Sequence, residues 1–339
     1  SMPVIQMEDD GGAPVIRSAL SVDYPFPLEK LLSDPESLRK FIGKSLVEGN
    51  FVGNKIVSCL IPKDVRHIPI QYRQTDKKST SYEPFFKELQ NHLQEPLSSL
   101  DVDVLHVRTP TSDASDRSVI AVVADRQRTI NHLELLRMAG LDVIALDSGP
   151  AALGRVISDA HYAHHQSSSA LIINFGKKNT YLTEIWGRRL MLNREIDFGE
   201  DLLIEKICQR LKCNIDTASK LFFNVDFDKA HREEITDIIN EILHHELLVL
   251  TREIGQSLTY VASLTRGDTA KIIYLMGGVS SYPQIKGIIE AKIQIPVLIY
   301  DPSIQFPYRQ GIFPLANGMH HLLATATGLA LRGLYADGN

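Results

Sequence analysis

The sequence predicts an α/β protein of about two domains, and three observations carry this prediction. The chain has 339 residues, which is long for a single domain. Short apolar runs typical of buried strands alternate with segments of helical periodicity. Hydrophobic residues make up 44% of the chain and charged residues 23%, so each domain can bury a core of its own.

Charge and composition exclude several function classes. The net charge is −5 and basic residues are scattered, so the sequence predicts no nucleic-acid binding and no direct adsorption to an anionic membrane. No apolar run approaches the ~18 residues of a membrane span and no signal peptide is visible, which predicts a cytoplasmic protein without direct membrane insertion. Cys59, Cys208 and Cys213 have no disulfide or metal spacing, and His161 is interpreted as a solvated residue, so no metal site is expected.

The stretch of residues 169–201 has the most informative pattern. Ala170–Ile173 is a short apolar run of the kind that a buried strand needs. A glycine loop follows, and then the strand-like runs Thr180–Trp186 and Arg189–Ile196. This order predicts β-hairpins whose first loop presents backbone N–H groups to an anion. A helix is expected to begin at Asp201.

The remaining elements are predicted from the same signals, taken in chain order. Strands are expected at residues 4–7, 15–22, 55–61, 67–72, 103–108, 118–124, 141–146, 271–276 and 297–300. Helices are expected at residues 31–47, 82–97, 128–139, 201–211, 216–223 and 316–334, with one more starting near residue 150. A long amphipathic helix is expected from Ile235 through Val261, because its apolar residues recur at helical spacing.

The spacing of Asn174, Gly176 and Thr180 resembles the Asp-x-Gly-x-x-x-Thr hairpin, the second phosphate-binding motif of the actin-like ATPase superfamily. Gly277-Gly278, after a buried strand, resembles the adenosine motif of that superfamily, where glycines let a base and ribose lie against bare backbone.

Two further segments follow the order of the same superfamily. Residues 147–155 resemble the connecting helix with its Asp and Ala-Leu-x-Arg, and residues 324–328 resemble the second connecting helix. The whole order is similar to the PilM branch, the type IV pilus assembly proteins related to FtsA.

The resemblance implies an actin-like ATPase fold with two lobes, each built on a mixed sheet with flanking helices. It assigns residues 1–30, 141–168 and 316–339 to the first lobe (1A) and residues 169–315 to the second lobe (2A/2B), with Ala170–Ile173 in a central strand. Residues 31–140 are expected to form the inserted, SHS2-type 1C subdomain of FtsA and PilM. In the family a strand with an Asp-x-Gly loop, the first phosphate-binding motif, precedes the N-terminal hairpin; we expect this motif to be trimmed or lacking here.

The resemblance also implies candidate cofactor-binding residues, with ATP and Mg²⁺ as the family ligands. They are Asn174, Gly176, Lys177, Thr180, Gly277 and Gly278. Asn174 departs from the family's Asp, and an amide carries no charge for Mg²⁺ and cannot act as a general base. The family's ribose-binding Ala-Glu-x-x-Lys is replaced by Ala218, Ser219 and Phe222. We therefore expect no catalytic residue and no bound cofactor.

The function implied is that of an adaptor in a type IV pilus or type II secretion platform, located at the inner face of the inner membrane through its partner. The partner implied is the cytoplasmic tail of a PilN-like membrane protein, held between 1A and 1C. The strand runs His67–Tyr72 and Ser118–Ala124 are interpreted as a surface for such an extended peptide. Two alternatives stay open: an ATP-binding, FtsA-like protein whose first phosphate loop is missing from this sequence, and self-association through 1C.

Overall fold

The structure is a computed structural model that describes residues 2–73, 82–107, 116–164, 169–187, 189–223, 232–309 and 320–336. The chain divides into two compact units. The first unit comprises Ser1–Ala163 and Asp301–Asn339 with the short segment Arg188–Leu190. The second unit comprises His164–Gly187 and Met191–Tyr300.

Strands and helices alternate along the described residues, as an α/β protein requires. The first half contains β1 (Met2–Asp10), β2 (Ala13–Val22), α1 (Leu28–Leu32), α2 (Pro35–Glu48), β3 (Lys55–Cys59), β4 (Val65–Arg73), α3 (Glu83–Asn91), β5 (Leu100–Val107), β6 (Asp116–Asp125), α4 (Arg126–Met138), β7 (Asp142–Asp147) and α5 (Gly149–His164). The second half contains β8 (Ser169–Phe175), β9 (Thr180–Trp186), β10 (Arg189–Ile196), α6 (Glu200–Leu211), α7 (Ile215–Phe222), α8 (Arg232–Leu264), β11 (Ile273–Gly277), α9 (Ile285–Ile293), β12 (Val297–Ile299), α10 (Pro302–Gln305) and α11 (Ala324–Ala336).

The first unit contains three separate sheets in the described residues. β1 and β2 form an antiparallel hairpin, and β3 pairs with β7 in parallel. β4, β6 and β5 form an antiparallel sheet with β6 in the middle. Helix α3 covers one face of this sheet, where Phe85 and Leu89 are fully buried against Ile70 and Ala121. This three-stranded sheet therefore shares its core with a helix.

The strand order is relevant to two predictions, the extent of the 1C subdomain and the strands that accept a peptide. The three-stranded sheet β4-β6-β5 is separate from the sheet of the second unit. However, β3 lies within the predicted range 31–140 and pairs with β7, which lies outside it. The boundaries of 1C stay a prediction. The interpretation of Ser118–Ala124 as a peptide-accepting strand is wrong, because β6 is already paired on both edges.

The second unit is built on one five-stranded sheet. Its strand order is β10-β9-β8-β11-β12, so β8 is central, as expected for Ala170–Ile173. β8 runs antiparallel to β9 and parallel to β11, with Ile173 beside Leu275. Both faces of β8 are buried, because helices including α6 and α8 contribute to the surrounding core. The carboxyl ends of β8 and β11 meet at one end of this sheet.

The structure corrects two of the helix predictions. The helix expected at residues 31–47 is divided into α1 and α2, because Pro35 begins a new helix. Asp34 caps it by accepting hydrogen bonds from the backbone N–H groups of Glu36 and Ser37. The helix expected at residues 82–97 ends at Asn91, so Pro96 lies outside it.

The other differences are small or fall outside the described residues. Most predicted boundaries shift by a few residues, for example from 128–139 to the Arg126–Met138 of α4. Of the helix expected at residues 316–334, residues 316–319 lie outside the described part of the chain. Among the described helices, none is long and apolar enough to cross a lipid bilayer.

Candidate functional site

The loop between β8 and β9 contains two of the candidate residues, Gly176 and Lys177. The backbone N–H of Gly176 donates a hydrogen bond to the carbonyl oxygen of Asn179 at 3.0 Å, which closes a tight turn. Lys177 and Lys178 are exposed at its tip. Asn174 precedes the loop as a half-buried residue of β8, beside Tyr181 of β9 and Met276 of β11.

The start of helix α6 packs directly on this loop. The backbone N–H of Glu200 donates to the carbonyl oxygen of Gly176 at 3.1 Å, and that of Asp201 donates to Lys177 at 2.8 Å. A Cβ at Gly199 would lie 2.3 Å from the Lys177 carbonyl oxygen, so only glycine allows this approach. The N–H groups at a helix start are a common anion site. Here two of them already bind loop carbonyls.

The Thr180 side chain is part of the interior. It is fully buried, and its hydroxyl donates a hydrogen bond of 2.7 Å to the carbonyl oxygen of Phe198. This bond ties the first residue of β9 to the turn that leads into α6. The hydroxyl that the sequence pattern offers to a phosphate is thus engaged within the protein.

Gly277 and Gly278 end strand β11 at the same end of the sheet. Gly277 has a φ of +87°, and a Cβ there would lie 2.0 Å from the carbonyl oxygen of Phe175. A Cβ on Gly278 would lie 2.2 Å from the Glu200 Oε2 atom. The Glu200 carboxylate therefore lies beside the backbone of Gly278 and brings a negative charge to this end of the sheet.

Phe222, which the resemblance aligned with a ribose-binding motif, forms a stacked aromatic pair with Tyr282. The rings of Phe222 and Tyr282 have centroids 5.1 Å apart and planes inclined by 9°. Phe222 is fully buried and Tyr282 is 1% exposed. The Tyr282 hydroxyl donates to Asn240 Oδ1 at 3.0 Å, and burial raises the pKa of Tyr282 to about 12. Phe222 thus belongs to the core of the second unit.

The structure therefore brings the candidate residues together at one end of one sheet. Asn174 and Gly277 lie on paired strands, and Gly176 and Gly278 both contact Glu200. Lys177 shares the loop, but its side chain is exposed, and Thr180 is buried.

Sequence reasoning missed the contact of Glu200 with Gly278 and the stack of Phe222 on Tyr282. The signal for the first was Glu200 itself, an acidic residue directly after the turn glycine. Tyr282 and its partner Phe222 are 60 residues apart in sequence, so no local pattern indicates their contact.

Side chains that could bind a metal ion do not cluster in the part of the chain that the structure describes. No group of three or more His, Cys, Asp or Glu residues is placed to hold a metal ion there. The three cysteines are free thiols. The interpretation of His161 as a solvated residue is wrong, because its side chain is fully buried in α5.

The family follows from a comparison of the sequence with protein-family models. The model described as type IV pilus assembly protein PilM matches residues 87–334. The chain belongs to the PilM family. The matched range contains every candidate site residue, from Asn174 to Gly278.

Solved structures show the same fold for this PilM-family chain. A PilM-PilN type IV pilus biogenesis complex matches it with a TM-score of 0.77 and 21% identity, over 97% of this chain and 94% of that chain. The ethanolamine utilization protein EutJ from Carboxydothermus hydrogenoformans matches with a TM-score of 0.52 and 12% identity, over 98% and 90%. The predicted actin-like ATPase fold is confirmed.

Proposed function

We propose that this chain is an adaptor of a type IV pilus or type II secretion platform that binds the cytoplasmic tail of a PilN-like membrane protein and does not hydrolyse ATP. One observation supports the proposed loss of hydrolysis: hydrogen-bond donors at the candidate nucleotide site are already bonded to other groups of the protein. A phosphate needs donors, and here the N–H groups of Gly176, Glu200 and Asp201 donate to carbonyl oxygens of the loop, while the Thr180 hydroxyl donates to Phe198.

The charges at this site also favour an adaptor over an ATPase. Mg²⁺ is a hard cation that prefers carboxylate oxygens, and Asn174 offers only a neutral amide. An amide cannot take a proton from an attacking water, so Asn174 supplies no general base. The Glu200 carboxylate beside Gly278 adds a negative charge at the end of the sheet where an anionic nucleotide would have to bind.

A PilN-like partner is supported by the similarity to a solved complex named for PilM and PilN. The chain's own charge agrees with a protein intermediary. Its net charge of −5 disfavours direct adsorption to anionic lipid. We place the protein in the cytoplasm at the inner face of the inner membrane, held there by the tail of its partner.

The contact surface we propose is the outer edge of β4. This strand pairs with β6 on one side, and no other strand neighbours it among the described residues. Pro69 lies in its middle, as is typical of an edge strand, because proline cannot donate to a ladder on both sides. An extended tail can add to such an edge through backbone hydrogen bonds, and its side chains then supply specificity.

The test uses the intact chain and a peptide that copies the cytoplasmic tail of the PilN-like protein encoded beside it. Titration calorimetry should detect binding of this peptide and none of a scrambled peptide. Hydrogen exchange should then slow along β4, Val65–Arg73, when the peptide is present. Absence of binding would contradict the adaptor function, whereas binding with protection elsewhere would reject only the β4 contact.

Nucleotide binding is a second candidate function, and one observation favours it. Gly176 and Gly277 lie at the same end of the second unit's sheet, with the exposed Lys177 and Lys178 beside them. A filament-forming, FtsA-like protein would combine nucleotide binding with self-association. Sedimentation velocity at increasing protein concentration separates that function from the adaptor, for which we expect a constant sedimentation coefficient.

A further inference from the structure

Two of the three cysteines meet at the carboxyl end of α6, in the second unit. Lys212, the residue after this helix, has a left-handed backbone with a φ of +51°. The backbone N–H groups of Lys212 and Cys213 both donate to the carbonyl oxygen of Cys208, that of Cys213 at 3.3 Å. This is the Schellman turn, in which the chain beyond a left-handed residue folds back over the last turn of the helix.

The turn brings the side chains of Cys208 and Cys213 into contact. In a Schellman turn the side chains at these two positions commonly pack on each other. Here the two thiols are hydrogen-bonded to each other, and both side chains pack against the core of the second unit. A disulfide needs two cysteines that are close together with side chains directed at each other, and this turn supplies both conditions. The spacing in the sequence did not indicate the pair, because the turn and not the spacing creates it.

Both thiols can be reached by small molecules from solvent. Cys208 and Cys213 are each partly exposed. Cys213 lies outside the helix between the exposed Lys212 and Asn214, whereas Cys208 lies within α6 beside the buried Ile207. The positive charge of Lys212 also favours the approach of an anionic reagent. Cys213 is therefore the thiol that meets such a reagent first, and Cys208 is the thiol beside it.

The third cysteine differs from this pair. Cys59 lies on β3 of the first unit, and the other two cysteines lie in the second unit. Burial and the charge of Asp147 raise the pKa of Cys59 to about 11. Such a thiol holds almost no thiolate near neutral pH, and the thiolate is the form that attacks a disulfide. Cys59 therefore provides an internal control for the reactivity of the pair.

We propose that Cys208 and Cys213 are a modification site at which low-molecular-weight disulfides, such as oxidised glutathione, convert two thiols into one reversible disulfide. In a reducing compartment the pair stays as thiols, and a rise in the oxidised reagent forms the bond. The bond fixes the turn that leads from α6 into α7. This site does not rest on the proposed function, because neither tail binding nor nucleotide binding involves these thiols.

The reaction proceeds in two exchange steps. The Cys213 thiol loses its proton to solvent, and its thiolate attacks one sulfur of the reagent; the S–S bond of the reagent breaks, and the released thiolate takes up a proton. The Cys208 thiolate then attacks the Cys213 sulfur of this mixed disulfide and expels the second reagent thiolate, which is also protonated. Two protein thiols are oxidised to one disulfide, and one reagent disulfide is reduced to two thiols.

The experiment incubates the intact, folded chain with graded ratios of reduced and oxidised glutathione, blocks the remaining thiols by alkylation and maps the peptides by mass spectrometry. We expect one intramolecular disulfide between Cys208 and Cys213, alkylated Cys59 at every ratio, and complete reversal by dithiothreitol. Cys208→Ser should instead accumulate a stable glutathione adduct on Cys213, because the thiol that resolves the mixed disulfide is missing. The parent chain needs no substitution for its own peptide map, so the test does not depend on the folding of the variant.

A matched pair of variants tests the role of the turn. Lys212→Asn and Lys212→Val remove the same charge, but asparagine adopts left-handed backbone readily and valine does not. The glutathione adduct should resolve to the disulfide at least about fivefold faster in the asparagine variant. Equal rates in the two variants would overturn the inference. So would a persistent glutathione adduct on the parent chain, no reaction in excess oxidised glutathione, a disulfide that includes Cys59, or disulfide-linked dimers on a non-reducing gel.

Discussion

The rings of Phe222 and Tyr282 stack 5.1 Å apart in the core of the second unit, with Tyr282 also bonded to Asn240. Phe222 is fully buried, so its ring serves as a packing group. Thr180 is buried as well, and its hydroxyl bonds to the protein's own backbone. We therefore expect substitution of either residue to lower the free energy of unfolding of the second unit.

Phe222→Ala should lower the free energy of unfolding of the second unit by about 3–5 kcal/mol, because it removes a fully buried ring and leaves a cavity. Chemical denaturation followed by circular dichroism measures this loss. Leu248→Ala is the matched control, since Leu248 on α8 is 56% exposed and should cost less than about 1 kcal/mol. Equal losses in the two variants would contradict the packing role of Phe222.

Thr180→Val should lower the free energy of unfolding by about 1–3 kcal/mol, because the Phe198 carbonyl loses its donor inside the protein. Valine keeps the shape of threonine, so little packing is lost. Thr259→Val is the control, as Thr259 is exposed on α8 and bonds only to its own helix. The role assigned to the Thr180 hydroxyl is wrong if both variants have the same denaturation midpoint.

Gly277→Ala should destabilise the second unit by more than about 3 kcal/mol, since the new Cβ would lie 2.0 Å from the Phe175 carbonyl oxygen. The positive φ of +87° adds to the strain. Gly287→Ala should instead be neutral or stabilising by up to about 1 kcal/mol, because Gly287 lies in helix α9 with open space around it. Thermal denaturation of both variants measures the difference. A Gly277→Ala protein as stable as the parent chain would contradict the close contact between Gly277 and the Phe175 carbonyl oxygen.

Stability should depend on pH through Glu184, which is fully buried on β9. Burial raises the pKa of Glu184 to about 8, while Ser169 donates a hydrogen bond to its Oε1 at 3.3 Å. The folded state therefore keeps a proton that the unfolded chain loses near pH 4.5. Stability should fall as the pH rises from about 4.5 to about 8 and then level off, by an amount on the order of 3–5 kcal/mol.

Glu184→Gln provides the check on this pH dependence, because glutamine has a similar shape and no titrating proton. Between pH 5 and pH 8.5 the thermal midpoint of the variant should fall less than that of the parent chain. Parallel pH profiles of the two proteins would show that Glu184 does not hold its proton in the folded state.

The sequence was sufficient for the features that rest on local chemistry. The apolar run of β8, the glycine loop after it and the Gly277-Gly278 pair indicated their own strands and turns. The division of α1 from α2 had a local signal as well, the Asp34-Pro35 pair, and it was overlooked. Periodicity alone had favoured one continuous helix there.

Features that depend on contacts between distant parts of the chain could not be predicted from the sequence. The central position of β6 follows from its pairing with both β4 and β5, and no property of Ser118–Ala124 reveals two partners. The contact of Glu200 with Gly278 joins residues 78 positions apart.

The most direct test of the account is titration calorimetry of Mg-ATP into the intact chain. The N–H groups of Glu200 and Asp201 and the Thr180 hydroxyl donate to carbonyl oxygens of the protein itself, and we propose that too few donors are left for a nucleotide. We expect no heat above that of dilution at nucleotide concentrations up to the millimolar range. Saturable binding with micromolar affinity would contradict the account and favour the ATP-binding alternative.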